Sequence, residues 1–95
     1  MDAQINLIVK NDVGLHARPA ALFVKTANKY QSKIMVCNVT KKGKLVSAKS
    51  ILSVLTLAVS CNHEIHIEAE GPDAEAAVAD LKRLVESNFD EEVKL

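Results

Sequence analysis

The apolar residues of this chain change their spacing repeatedly, from every second residue to every third or fourth and back again. Ile5, Leu7 and Val9 alternate with Gln4, Asn6 and Ile8, which is the period of a strand. The turn-forming run Lys10 to Gly14 interrupts it. From Pro19 the period changes: Ala20, Phe23, Val24 and Ala27 stand at i, i+3, i+4 and i+7, one face of a helix. Asn28-Lys29 ends that stretch with a weak helix former and a cation suited to a helix C-terminus. Ile34 to Cys37 predicts a second strand, Lys41-Lys42-Gly43-Lys44 a tight turn, and Leu45-Val46 the return strand. Ile65, Ile67 and Ala69 alternate with Glu64, His66, Glu68 and Glu70, giving one dry face and one wet face. Gly71-Pro72 ends that strand. Asp73 is a good N-cap before the amphipathic run Ala74, Ala77, Val78, Leu81, Leu84 and Val85.

Between them lies a less regular segment. Ile51, Val54, Leu55 and Ala58 share a helical face, Leu52 flanks it, and Leu57 lies nearly opposite. That is more apolar surface than one buried stripe requires. Either the helix is short and runs into a buried loop, or some of these side chains face a partner.

The element order is therefore βαββαβα. Half-polar strands need a sheet with one wet face, and three amphipathic helices need a surface to cover. The fold class expected is α+β, a two-layer open-faced sandwich: a four-stranded antiparallel sheet with three helices on one face. Ninety-five residues suit one domain spanning 1–95, with a short polar tail from about residue 88.

Composition excludes several functions. Twelve Lys or Arg balance twelve Asp or Glu, so no global charge draws the chain to nucleic acid or to an anionic membrane. Trp is absent and Phe23, Phe89 and Tyr30 are the only aromatics, a poor stock for stacking bases. The longest apolar stretch, 51–59, is broken by Ser53 and Thr56 and falls short of membrane-spanning length. The start lacks the basic and apolar regions of a signal peptide. Cys37 and Cys61 have no CxxC spacing; reduced thiols in a cytoplasm are expected, not a disulfide scaffold.

The informative segment is Gly14-Leu15-His16-Ala17-Arg18-Pro19-Ala20, where the first strand has ended and a helix begins. Pro19 fits the first helical turn, where its missing N–H breaks no intrahelical bond. Because proline disfavours α geometry in the residue before it, the N-cap falls anywhere from His16 to Arg18. In each case His16 sits at the positive end of a helix dipole, and the backbone N–H groups of Ala17 and Arg18 favour an anion. Arg18 can bring a planar guanidinium to phosphoryl oxygens. An imidazole nucleophile whose product is an anion, beside a ready anion site, makes a coherent phosphoryl acceptor. The plainer alternative is a histidine that merely occupies a surface helix start.

This heptad resembles the active-site signature of the HPr family, the histidine phosphocarriers of the bacterial sugar phosphotransferase system. Lys49-Ser50-Ile51-Leu52 resembles the family's second signature, around a regulatory serine, and the likeness continues through Glu64-Ile65 and the final helix. The resemblance implies four antiparallel strands with three helices on one face. It implies that enzyme I, charged from phosphoenolpyruvate, phosphorylates His16 on its δ1 nitrogen, that Arg18 contacts the phosphoryl group, and that sugar-specific IIA components receive it. It implies a monomer without cofactor, with Ile51, Leu52 and Leu55 as docking residues and Ser50 as a regulatory phosphorylation candidate for a serine kinase/phosphorylase. Three departures touch that docking region. Ser53 replaces the family's usual glycine, Leu52 and Leu55 replace common methionines, and the stretch 39–48 is longer than in typical members.

Other groups carry less. Ser47, Ser50 and Ser53 are all plausible helix caps. Cys61, His63 and His66 have metal-ligand chemistry, but alternation turns His63 away from His66 and a closed site needs a fourth ligand; no metal is expected. Glu64, Glu68 and Glu70 read as a solvated face, and Lys41, Lys42 and Lys44 as charges that keep a hairpin edge soluble. A regulatory module of the same fold that never passes phosphate on, or a nitrogen-branch carrier that signals through binding, is the competing function. The first is disfavoured by His16 itself, whereas the second keeps the same site.

Overall fold

The computed structural model describes residues 2–90. Its strands are β1 (Asp2–Ile8), β2 (Lys33–Asn38), β3 (Val46–Ser47) and β4 (Glu64–Glu70), and its helices are α1 (Ala17–Ala27), α2 (Ile51–Thr56) and α3 (Ala74–Glu86). The order along the sheet is β1-β4-β2-β3, and every neighbouring pair is antiparallel. Register aligns the dry faces: Leu7 lies opposite Ile65, Ile5 opposite Ile67, Val36 opposite Ile67 and Ile34 opposite Ala69. Strand alternation then sends Asn6, Glu64, His66 and Glu68 to the other, wet face. There His66 meets Asn6 Oδ1 at 2.5 Å and Glu68 Oε2 at 3.0 Å.

The helices cover the dry face as their periods require. Ala20, Phe23 and Ala27 of α1 and Ala77, Leu81 and Val85 of α3 are buried against Ile34, Val36, Ile65 and Ile67 in one core. Each fully buried Val, Leu, Ile or Phe among them contributes roughly 1.5–3 kcal/mol relative to exposure. Beyond α1, the Tyr30 hydroxyl donates to Asp80 Oδ2 at 2.6 Å, and Lys29 stands 3.4 Å from the same oxygen. Burial pushes the Asp80 carboxyl up, but Tyr30 and Lys29 outweigh it and hold it below the usual value. Tyr30 is raised by the same hydrogen bond and by burial. Among the described residues no helix is long and apolar enough to cross a membrane.

Four local expectations need correction. The α2 segment turns one and a half times and stops at Thr56; Val54 and Leu57 are buried, while Ala58 is exposed with φ +51. Ending the helix there rotates Leu57 onto the core and Ala58 away from it. The return strand is Val46–Ser47, and Leu45 stays outside it. Asp73 occupies the N-cap position of α3 but makes no capping bond; its carboxylate accepts from the Gln31 and Ser32 N–H groups, each at 2.9 Å, and from Ser32 Oγ at 2.5 Å. Phe89, inside the span expected to be a polar tail, is 7% exposed and its N–H returns to Leu84 O at 2.9 Å. Residues 91–95 of that expected tail lie outside the described residues.

Candidate functional site

His16 is the N-cap of α1, with extended backbone (φ −78°, ψ −170°) and no side-chain capping bond. The first i−4 bond of the helix runs from Ala20 N–H to His16 O at 2.8 Å. The N–H groups of Ala17 and Arg18 precede that bond, and Pro19 has none. Of the three N-cap positions open in the sequence, the structure takes the first. Residues 16–18 are exposed, while Leu15 before them and Pro19 and Ala20 after them are buried. The segment is thus pinned at both ends with its polar centre facing water.

Its approach is fixed by Gly14, which has φ +62°; a Cβ there would stand 2.2 Å from Val59 O. That closeness lets Leu15 N–H donate to Val59 O at 3.0 Å, while Asn11 Nδ2 donates to Gly14 O at 2.9 Å. A side chain at position 14 would force the 14–16 and 58–60 segments apart.

His16 opens onto a shallow groove lined on its own side by Leu15 and Ala17, and across it by Lys41, Leu55, Ala58, Val59 and Ser60. Arg18 faces another groove, with Asn11, Pro19, Leu22 and Phe89. The structure therefore brings His16 together with the docking candidate Leu55, and separates the grooves on which His16 and Arg18 open. Of the two readings of α2, the short helix running into a buried loop is seen, and apolar side chains are also left exposed. Leu57 and Val59 form the buried run after a short helix, while Leu52 is 74% exposed and Ile51 and Leu55 are also exposed. Ser50 is the N-cap of α2 and accepts from Ser53 N–H at 3.3 Å, so of the three candidate serines it is the one that caps.

Sequence reasoning missed three residues near this groove. Lys41 lines it but has no neighbour in sequence that signals this. Asn38 is the inward residue after Ile34 and Val36 on β2 and is 1% exposed; a polar residue continuing an apolar row was the available signal. His63 lies in the loop before β4, where Nδ1 accepts from Ser60 N–H at 3.0 Å. His63 and His66 thus belong to separate hydrogen-bond sets, and Cys61 Sγ stands 3.5 Å from Lys10 O. Among the described residues no three ligand-type side chains stand together as a metal site would require.

The model for "PTS HPr component phosphorylation site" matches residues 3–87. This chain belongs to the HPr family. It is similar to the phosphocarrier protein HPr of Treponema pallidum, 44% identical over 84 residues that make up 88% of this chain and 92% of that one. It is also similar to the multiphosphoryl transfer protein of Vibrio cholerae, 49% identical over 73 residues, 77% of this chain but 18% of that protein's length. Among solved structures, HPr-C-His from Thermoanaerobacter tengcongensis superposes with a TM-score of 0.86 at 46% identity, covering 96% of this chain and 99% of that one. HPr proteins are phosphocarriers of the phosphotransferase system and work with enzyme I and IIA components. The two-layer architecture expected from the hydrophobic periods is the HPr fold.

Proposed function

We propose that residues 1–95 act as one HPr domain in which His16 accepts a phosphoryl group from phospho-enzyme I and passes it to a sugar-specific IIA component. The observation that carries this reading is the placement of His16: an exposed imidazole at the N-cap of α1, its side chain uncommitted to capping. The δ1 nitrogen uses its lone pair to attack phosphorus while the bond to the donor breaks, and the Nε2 proton stays on the ring. The positive end of α1 and the Ala17 and Arg18 N–H groups then favour the anion that forms. Arg18 adds a forked guanidinium from the same turn. The exposed apolar edge Ile51, Leu52 and Leu55 supplies adhesion for partners beside the groove. All these groups lie within one chain, which supports a carrier acting as a monomer, and the cytoplasm is the compartment in which phospho-enzyme I would meet it. Ser50 caps the helix that carries that edge, which supports reading it as a regulatory serine whose phosphate would add charge to the docking surface.

Incubation with enzyme I and labelled phosphoenolpyruvate, followed by addition of a IIA component, tests the reading. The chain should take up acid-labile, alkali-stable label and lose it to the IIA component. Arg18→Ala should slow transfer strongly and Arg18→Lys less so, because the charge remains without the fork. Label that enters His16→Ala as readily as the wild type would sink the assignment.

A further inference from the structure

Polar side chains that no strand or helix requires converge behind the wall of the groove facing His16. Asn38, 1% exposed, donates from Nδ2 to Leu57 O at 3.1 Å, and the same nitrogen stands 3.1 Å from His63 Nδ1. Its Oδ1 accepts from Lys41 N–H at 3.2 Å, and its backbone oxygen accepts from Gly43 N–H at 3.0 Å. His63 Nδ1 receives a second N–H, from Ser60 at 3.0 Å. With two donors aimed at it, Nδ1 must be the acceptor nitrogen, so the imidazole proton sits on Nε2.

This hub ties together three segments: the turn after β2, the end of α2, and the loop before β4. All three supply the far wall of the groove: Lys41 from the turn, Leu55 from the end of α2, and Ala58, Val59 and Ser60 from the loop. Among the described residues Lys41 is the one lysine or arginine lining that groove; Lys42 and Lys44 do not line it. Lys42 takes φ +55° and its N–H returns to Val39 O at 3.0 Å, so the turn closes tightly with Lys41 on the His16 side.

We propose that Lys41 is a second cationic contact for the phosphoryl group on His16, held to that side of the groove by Asn38 and His63. The inference rests on the carrier reading and deepens it. The phosphoryl group brings nearly two negative charges to a site whose other cation, Arg18, opens onto a different groove. An ammonium on a flexible stem supplies attraction without a fixed fork. A carrier that must release its cargo is suited by such a contact.

The test is the phosphorylated chain itself, titrated by ³¹P NMR through the second ionisation of the phosphoryl group. A nearby cation favours the dianion, so Lys41→Ala should raise that midpoint by about half a pH unit. Lys41→Arg should restore the wild-type midpoint, and Lys42→Ala should leave it unmoved. At His63, asparagine places an oxygen where Nδ1 stands and glutamine does not. His63→Asn should therefore titrate like the wild type, and His63→Gln should shift in the direction of Lys41→Ala. The double variant His63→Gln/Lys41→Ala should shift no further than Lys41→Ala alone. A Lys41→Ala midpoint equal to wild type overturns the contact, and full additivity in the double variant overturns the positioning role. A chain that takes no phosphoryl group at all overturns the carrier reading with it, an outcome distinct from both.

Discussion

Two helices in this chain begin in the same way and end up doing different work. Gly14-Leu15-His16 leads into α1 and Gly71-Pro72-Asp73 leads into α3, each with a positive-φ glycine two residues before the N-cap. In both places a Cβ on the glycine would collide with a distant segment: Val59 at the first start, Ser32 at the second. Neither N-cap side chain caps its own helix. At α3 the side chain is spent on structure, because the Asp73 carboxylate is taken up by Gln31 and Ser32. At α1 it is left in water. A helix start favours an anion, and the two starts differ in whether the N-cap side chain is engaged by a distant segment or left exposed.

The largest effects should come from exchanging those fates. His16→Ala should abolish phosphoryl acceptance and leave the melting temperature near wild type, since only an exposed side chain is lost. Asp73→Ala should do the reverse, lowering the melting temperature clearly while acceptance survives; thermal melts beside label uptake give both answers. Loss of acceptance in well-folded Asp73→Ala would erase the distinction.

Next in size are the glycines. Gly14→Ala should destabilise by about 2–5 kcal/mol, from the left-handed backbone and the overlap with a carbonyl. Gly71→Ala should lose less, because part of its clash is with the movable Ser32 hydroxyl. Urea titrations of the two variants would rank them, and equal losses would mean the 58–60 segment yields more easily than its geometry suggests.

Along α2 the same contrast between inward and outward residues applies. Val54→Ala should lower stability by about 2 kcal/mol, as expected for a cavity at a fully buried position. Leu52→Glu should leave stability intact and weaken binding to enzyme I by about tenfold. Ser50→Asp should also raise the enzyme I concentration needed for half-maximal phosphorylation. Ser50→Ala should keep transfer and lose about 0.5–1 kcal/mol with its cap. A stably folded Leu52→Glu that binds as well as wild type removes α2 from the docking surface.

The smallest effect is acid dependence. The Ser32 hydroxyl and the Gln31 N–H hold Asp73 below its ordinary value of 3.8, and Asp80 is held low as well. The folded chain therefore binds fewer protons than the unfolded chain in this range. Both contributions are complete above pH 3.8 and decline as the pH falls through the lowered folded values. Melting temperatures measured down to pH 2 should show the decline, and Asp73→Asn should flatten it.

The main elements were legible in the sequence because each long one carries its own period. Phe23 and Ala27 on α1, Ile65 and Ile67 on β4, and Leu81 and Val85 on α3 all face where the spacing sent them. The misreadings share a cause: a local pattern was extended past a point where a distant contact takes over. The spacing puts Ala58 on the apolar face because nothing in 51–59 marks the stop, no glycine or proline. Asp73 has the chemistry of a cap, and its true partners lie about forty positions earlier in the chain. Phe89 followed a run that looked polar, yet it folds back over the end of α3. At the candidate site, the exposed run 16–18 at a helix start is legible because it lies within one short segment. Lys41, Asn38 and His63 are not, since their proximity exists only once the turn after β2 meets the loop before β4.

That dependence has a kinetic side. β4 lies between β1 and β2, and its pairing with β1 joins Asp2 to Glu70 and Ile8 to Glu64. Closing loops of this length is entropically expensive and must come before the contacts that reward it, so sheets of this topology form slowly compared with helical bundles. During synthesis the groove beside His16 has no far wall until the segment up to β4 has emerged and docked. His16 precedes β4 in the chain, and its groove is complete only after β4 has docked. A nascent chain arrested before residue 64 presents His16 without a settled far wall to its groove, and that wall then arrives in step with a strand from the middle of the sheet.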